Sequence, residues 1–302
     1  KRMSAIKFFD PACGSGNFLI ITYKSLRRLE MDILKLQKQC QGEGGQMFVD
    51  NSVIRLDQFY GIELLDFPHE VAMLSLWLAE HQMNTKLNEE FGVNTKALPL
   101  KNITQIVCGN ACRLDWNVVC PHTKDEEVFV FGNPPYLGSK LQSIEQKNDI
   151  SAAFYGINNC RILDYICCWF IYGTLYIKES NAKFAFVTTN SICQGEQVGV
   201  LWPALLNNNV EILFAHKSFK WSNNAKYNAG VTCVIIGVGN MDNKCPKKIF
   251  DNNHSIYVNY INPYLIPNIR TIVFRSNISP KGQPKLCFGC MPYDDKKRKH
   301  LR

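Results

Sequence analysis

The sequence predicts an α/β fold: a mostly parallel, twisted sheet with helices on both faces. Two observations carry that expectation. Short β-type runs alternate with helix-length apolar segments, and parallel strands joined by helices must be covered on both sides. Several of these runs also stop abruptly at turns bearing glycine, asparagine or proline, where a strand hands over to the next element.

Residues 6–9, Ile-Lys-Phe-Phe, form a β-type run that halts at Asp10-Pro11, and Gly14 and Gly16 lead into an apolar-rich helix over residues 18–36. The polar, glycine-bearing stretch 37–46 reads as a surface loop, and a second strand at 58–62 is closed by Glu63. Residues 71–81 are helical in pattern, 103–108 strand-like, and the apolar run 128–131 ends at Gly132-Asn133-Pro134-Pro135. Residues 139–159 are polar and irregular, whereas 162–177 has helical length. Strands are expected at 183–189, 210–215 and 231–238, with a helix at 202–207. From Met241 the character changes, with Pro246, Pro263, Pro267, Pro280, Pro284 and Pro292 punctuating a basic segment. This places a domain boundary there, giving a main domain of residues 1–240 and an extension over 241–302.

Composition narrows the function classes. With 302 residues, 46% hydrophobic and 20% charged, the chain is neither disordered, collagenous nor a small disulfide scaffold. Its longest uncharged apolar run, 165–177, is interrupted by Gly173 and Thr174 and falls short of the about 20 residues a membrane helix needs, so a soluble protein with no membrane partner is expected. The first residue is Lys and no secretory leader is visible, which predicts a fragment of a longer protein. Thirteen cysteines, an odd number in a large chain, fit free thiols in a reducing cytoplasm. Cys287 and Cys290 form the one C-x2-C pair and lack two further ligands at suitable spacing, so no metal is expected; Cys167 and Cys168 read as core. Residues 1–132 carry 14 basic and 16 acidic side chains, and residues 133–302 carry 20 and 10. That asymmetry suits a polyanionic partner or a solvated basic terminus, since 7 of the basic groups lie from Lys281 onward.

Ligands of such sheets bind beyond the carboxyl ends of the strands, and four ends stand out. The first carries Asp10-Pro11-Ala12-Cys13-Gly14-Ser15-Gly16-Asn17-Phe18, where glycines admit close backbone approach and the following helix presents its amides. A dinucleotide fingerprint fails there, because Leu19 occupies its sixth place. At the second end, Glu63 offers two acceptor oxygens to a ribose diol, or is simply a solvated charge. The third end, Gly109-Asn110-Ala111, supplies an amide able to accept from an adenine amine and donate to a ring nitrogen, or a turn asparagine. At the fourth, Asn133-Pro134-Pro135-Tyr136 combines carbonyls without donors, a side-chain carbonyl and a flat ring. Such converging acceptors suit an NH2 group on a planar ring; a tight turn is the plainer alternative.

In this order the motifs resemble those of the S-adenosylmethionine-dependent amino-methyltransferases of DNA, of the adenine-N6 type. The resemblance implies a Rossmann-like class I fold. It implies a cofactor site of Asp10, Pro11, Ala12, Cys13, Gly14, Gly16, Phe18, Glu63, Asn110 and Ala111, and a catalytic motif of Asn133, Pro134, Pro135 and Tyr136. The family often has Asp where Asn110 stands, and an unusually long stretch separates Asp10 from Glu63. Asp164-Tyr165 with its helix, residues 186–197, and Trp221-Ser222-Asn223 look most like single-chain restriction and modification enzymes. That likeness implies methyl transfer to the N6 of an adenine flipped from double-stranded DNA, in a bacterial cytoplasm. It also implies that the upstream cofactor motif, the nuclease and the target-recognition domain of the parent lie outside these residues, with 241–302 a connector or the start of the recognition domain. Two rivals share the features: the same fold acting on a glutamine side chain or RNA amine, and a catalytically silent DNA-binding module.

Overall fold

A computed structural model describes residues 1–41, 52–92, 105–220, 232–242 and 246–276. Strands β1 (Lys7–Asp10), β2 (Phe59–Glu63), β3 (Gln105–Cys108), β4 (Val128–Gly132), β5 (Lys183–Thr189), β6 (Val210–Lys220), β7 (Thr232–Asn240), β8 (Lys247–Asp251) and β9 (His254–Val258) form one sheet in the order β3-β2-β1-β4-β5-β7-β6-β8-β9. The first five run parallel, and β7 is inserted antiparallel between β5 and β6.

Helices α1 (Asn17–Gln41) and α2 (Asp66–Phe91) cover one face of the β1 to β3 half. On the other face the core is built with α3 (Trp116–Val119), α4 (Ile144–Ala153), α5 (Cys167–Tyr176) and α6 (Gly195–Leu206). Because successive strand side chains point to opposite faces, neighbouring Phe8 and Phe9 enter different cores. Phe8 stacks on Phe59 beside Leu19 and Leu76, while Phe9 meets Trp116 edge-on at 5.4 Å. Helix α5 is apolar on nearly all sides and buried, with Cys167 and Cys168 inside it as the sequence predicts. Each large apolar side chain buried this way contributes about 1.5–3 kcal/mol.

Several boundaries differ from expectation. Helix α1 continues to Gln41, through the start of the expected 37–46 loop, because Leu36 is followed by Gln37, Lys38 and Gln39, all good helix formers. The remainder of that loop lies outside the described residues, as do residues 103 and 104 of the expected third strand. Within the expected irregular stretch 139–159 stands α4. Ser143 Oγ caps it by accepting from the Gln146 amide at 3.2 Å, and the Gln146 side chain accepts from the Ser143 amide. Helix α6 starts seven residues before the expected helix, at Gly195 with φ 62°. The change of composition at Met241 does not end the sheet: β8 pairs parallel with β6, and β9 antiparallel with β8. Trp221-Ser222-Asn223, Cys287, Cys290 and the basic tail lie outside the described residues. All ten described cysteines are free thiols. Among the described residues, no helix is long and apolar enough to cross a membrane.

Candidate active site

The carboxyl ends of β1, β2, β3 and β4 converge, and each loop following them is fastened to a neighbour. Gly14 and Gly16 adopt φ of 54° and 83°, which L side chains rarely tolerate, and a Cβ on Gly16 would stand 3.2 Å from that of Ala72 in α2. The Gly14 amide donates to Glu63 Oε2 at 2.9 Å, and the Leu65 amide donates to Oε1 at 3.0 Å. The Cys13 amide donates to the Ile62 carbonyl at 3.0 Å, and the Gly109 amide to the Glu63 carbonyl at 2.8 Å. From behind the glycine turn, Trp169 Nε1 of α5 donates to the Pro11 carbonyl at 3.1 Å.

Asp10 closes β1 and is 1% exposed. Its Oδ1 accepts from the Ala12 amide at 3.0 Å, while Oδ2 has no partner among the described residues. Burial pushes its carboxyl up to about 7, opposed by the Ala12 hydrogen bond and assisted by the nearby charge of Glu63. Burial also raises the Cys13 thiol, helped by the same two carboxylates, so it stays protonated at neutral pH.

Across from Asp10 lies Gly132, where a Cβ would come within 2.5 Å of Asp10 Oδ1. The next residue, Asn133, has a buried Oδ1 without a partner among the described residues. Pro134 is buried and Pro135 exposed. Half-buried Tyr136 lies beside the Cys233 thiol of β7, and its hydroxyl is raised chiefly by burial. The loop is held from below: the Leu137 amide donates to Asp164 Oδ1 at 2.7 Å, and the Leu137 carbonyl accepts from the Tyr165 amide at 3.0 Å and Gln142 Nε2 at 2.8 Å.

Asn110 follows β3. Its Oδ1 accepts from the Cys112 amide at 2.8 Å, and its Nδ2 donates to Asp149 Oδ2 at 3.1 Å, so the turn-asparagine geometry is present. Each end of the amide keeps capacity for one further hydrogen bond. Ala111 is buried, its carbonyl accepting from Trp116 Nε1 at 2.9 Å. Phe18 sits apart from this cluster of bonds, 37% exposed, its ring 6.4 Å from that of Phe131. Sequence reasoning did not single out Gln142, Asp149 or Trp169. The pattern Ser143-x-x-Gln146 was the available signal for α4, and with it for buried Asp149.

A cofactor with a ribose and an adenine fits this donor set. Each Glu63 oxygen has one bond and room for another, matching a diol, and the spare capacity of Asn110 matches an adenine edge.

The strand order with its inserted antiparallel β7 and these fastened strand-end loops define a class I methyltransferase domain. The family model described as the MmeI DNA-methyltransferase domain matches residues 1–251, and the chain belongs to that family. DNA methyltransferase A of Bacillus subtilis (strain 168) is 50% identical over 294 residues, which are 97% of this chain and 33% of the relative. The solved type IIL restriction-modification enzyme MmeI in complex with DNA superposes with a TM-score of 0.81 at 40% identity, covering 91% of this chain and 37% of that one. A type ISP restriction-modification enzyme, LlaGI, shares the fold, with a TM-score of 0.53 at 13% identity over 82% of this chain and 22% of its own. The chain thus spans about a third of the length of DNA methyltransferase A and of MmeI.

Proposed function

We propose that this domain transfers a methyl group from S-adenosylmethionine to the N6 of an adenine extruded from duplex DNA. The observation that carries the reading is the buried Oδ1 of Asn133, which has no partner among the described residues and lies one residue beyond the Gly132 backbone that abuts Asp10. A buried acceptor left unpaired is costly, and a ligand NH2 satisfies it.

The cofactor would supply an activated methyl on a sulfonium: its carbon–sulfur bond would break with the electron pair left on sulfur as the carbon–nitrogen bond forms, and the surplus proton of the amine would pass to solvent. Glu63 and Asn110 hold its nucleoside end, and the positive-φ glycines let the chain approach it closely. An exocyclic amine conjugated to its ring is a poor nucleophile. Asn133 Oδ1 and the Pro134 carbonyl accept its hydrogens, localise the nitrogen lone pair and stabilise the positive charge that develops there. The Tyr136 ring offers a face for the extruded base, worth about 1–3 kcal/mol against an unstacking cost of a few kcal/mol. Asp164 and Gln142 keep the loop in place during the reaction.

Double-stranded DNA as substrate is supported by the DNA-bound relative MmeI and by the excess of basic groups in residues 133–302. On this reading the parent is a cytoplasmic bacterial enzyme in which nuclease and target-recognition domains accompany this sheet, whose last strand ends at Val258, and the residues that follow lead toward the recognition domain. The test is incubation of the full-length parent with labelled S-adenosylmethionine and, in parallel reactions, duplex DNA, RNA or a protein extract, followed by nucleoside and amino-acid analysis. Label in N6-methyl-2′-deoxyadenosine from the DNA supports the reading. Label only in glutamine side chains or RNA, or none at all with cofactor bound, contradicts it.

A further inference from the structure

Asp149 is buried in α4, 39 residues beyond Asn110 in sequence, and three donors converge on its carboxylate. Oδ2 accepts from Asn110 Nδ2 at 3.1 Å and from the Tyr165 hydroxyl at 2.9 Å, and Oδ1 accepts from Arg113 Nε at 2.9 Å. These donors come from the turn after β3 and from the entrance to α5. Tyr165 carries the connection onward. Its ring meets that of Trp169 edge-on at 5.5 Å, Trp169 holds the Pro11 carbonyl, and the Tyr165 amide holds the Leu137 carbonyl.

An amide side chain can be rotated by half a turn with little change of shape, which exchanges its donor and acceptor ends. At Asn110 the rotation is blocked chemically. The two Asp149 oxygens are the acceptors of three hydrogen bonds, so Nδ2 faces Asp149; the Cys112 amide only donates, so Oδ1 faces Cys112. The remaining N–H and lone pair are thereby left in one fixed order. Adenine presents an amine donor beside a ring-nitrogen acceptor. Hypoxanthine presents the inverse, an oxygen acceptor beside an N–H donor.

The geometry points to Asp149 as a positioning residue that sets the polarity of the Asn110 amide and so makes the cofactor site select adenine over hypoxanthine. This rests on the reading of Asn110 as the residue facing the cofactor base. Asp149 touches neither cofactor nor target base; it acts through Asn110.

The test compares binding of S-adenosylhomocysteine with that of S-inosylhomocysteine, its 6-oxo counterpart, to the full chain by calorimetry. The parent protein binds the adenine compound tighter. In D149N the residue at 149 can itself donate or accept, Asn110 is free to rotate, and the preference falls about tenfold or more, the worth of one hydrogen bond placed wrongly. D149E, which keeps an acceptor-only group, restores part of the preference. Y165F removes one donor to Asp149 but leaves both Asn110 bonds, so the preference stays at the parent value. Should D149N not fold, D149S serves in the same comparison.

A well-folded D149N or D149S that retains the full preference overturns the proposal, as does a Y165F variant that loses it. A parent that binds the two compounds equally also overturns it, because Asn110 then reads no base. A parent that binds neither compound contradicts the cofactor reading itself, an outcome recognisable before any variant is made.

Discussion

The amide of Gly14 donates to Glu63 Oε2 at 2.9 Å, so the glycine turn after β1 is closed by the carboxylate that ends β2. Two residues 49 positions apart thereby hold the rim of one site. Glu63 has a second task under the proposed function, accepting from a ribose diol through its remaining lone pairs. E63A should weaken S-adenosylmethionine binding by tenfold or more, since hydrogen bonds to a charged group contribute about 1.5–3 kcal/mol. Calorimetric titration beside an equally folded parent measures this, and unchanged affinity removes Glu63 from the cofactor site.

The contact of Gly132 with Asp10 predicts a steric effect independent of any ligand. A methyl group at 132 would stand 2.5 Å from Asp10 Oδ1, well inside van der Waals contact. G132A should lose about 1–3 kcal/mol of stability in urea unfolding, in the range of other overpacked sites. A neutral result would show that the two strand ends separate readily.

Asp10 also predicts a pH dependence. Its carboxyl is raised from an ordinary 3.8 to about 7, so the native state holds the proton where the unfolded chain has released it. The stabilisation is complete below about pH 4 and is lost as pH climbs to about 7, on the order of 4 kcal/mol in all. D10N, neutral at every pH and still able to accept from Ala12, should flatten this loss. Melting curves should show D10N gaining on the parent between pH 4 and pH 7, and parallel curves would contradict the assignment.

The placement of these residues at the strand ends was legible because it depends on residue type at a fixed place: glycines where φ is positive, a carboxylate closing β2, and Asn-Pro-Pro-Tyr following β4. The parts that hold these groups were not legible. Asp149 meets Asn110 across 39 residues and Trp169 meets Pro11 across 158, and neither pairing leaves a periodic trace. Helix α4 was missed because its apolar residues are few and its pattern faint, although its capping box was present. The strands beyond residue 240 were obscured by prolines and charges, which the edge of a sheet tolerates better than its centre.

Electrostatics predict how the chain meets DNA. Phosphate contacts position a protein without reading sequence, so binding to scrambled duplexes should weaken with salt at a slope of about −0.9 per phosphate neutralised. Removing the residues from Lys281 onward, with 7 basic and 2 acidic side chains, should flatten that slope if they take part. Gel-shift titrations at several salt concentrations give the slope, and tight, salt-insensitive binding to one sequence would place base recognition within these 302 residues.

Under the proposed function Asn133 Oδ1, buried and without a partner among the described residues, addresses the target amine and not the cofactor. Single-turnover methyl transfer by N133A in the full-length parent, with S-adenosylmethionine affinity measured on the same preparation, tests it most directly. The predicted result is a rate lower by about 10²–10³, as for loss of one preorganised polar contact, with cofactor affinity within about twofold of the parent. Methylation at the parental rate, or a loss confined to cofactor affinity, would contradict it.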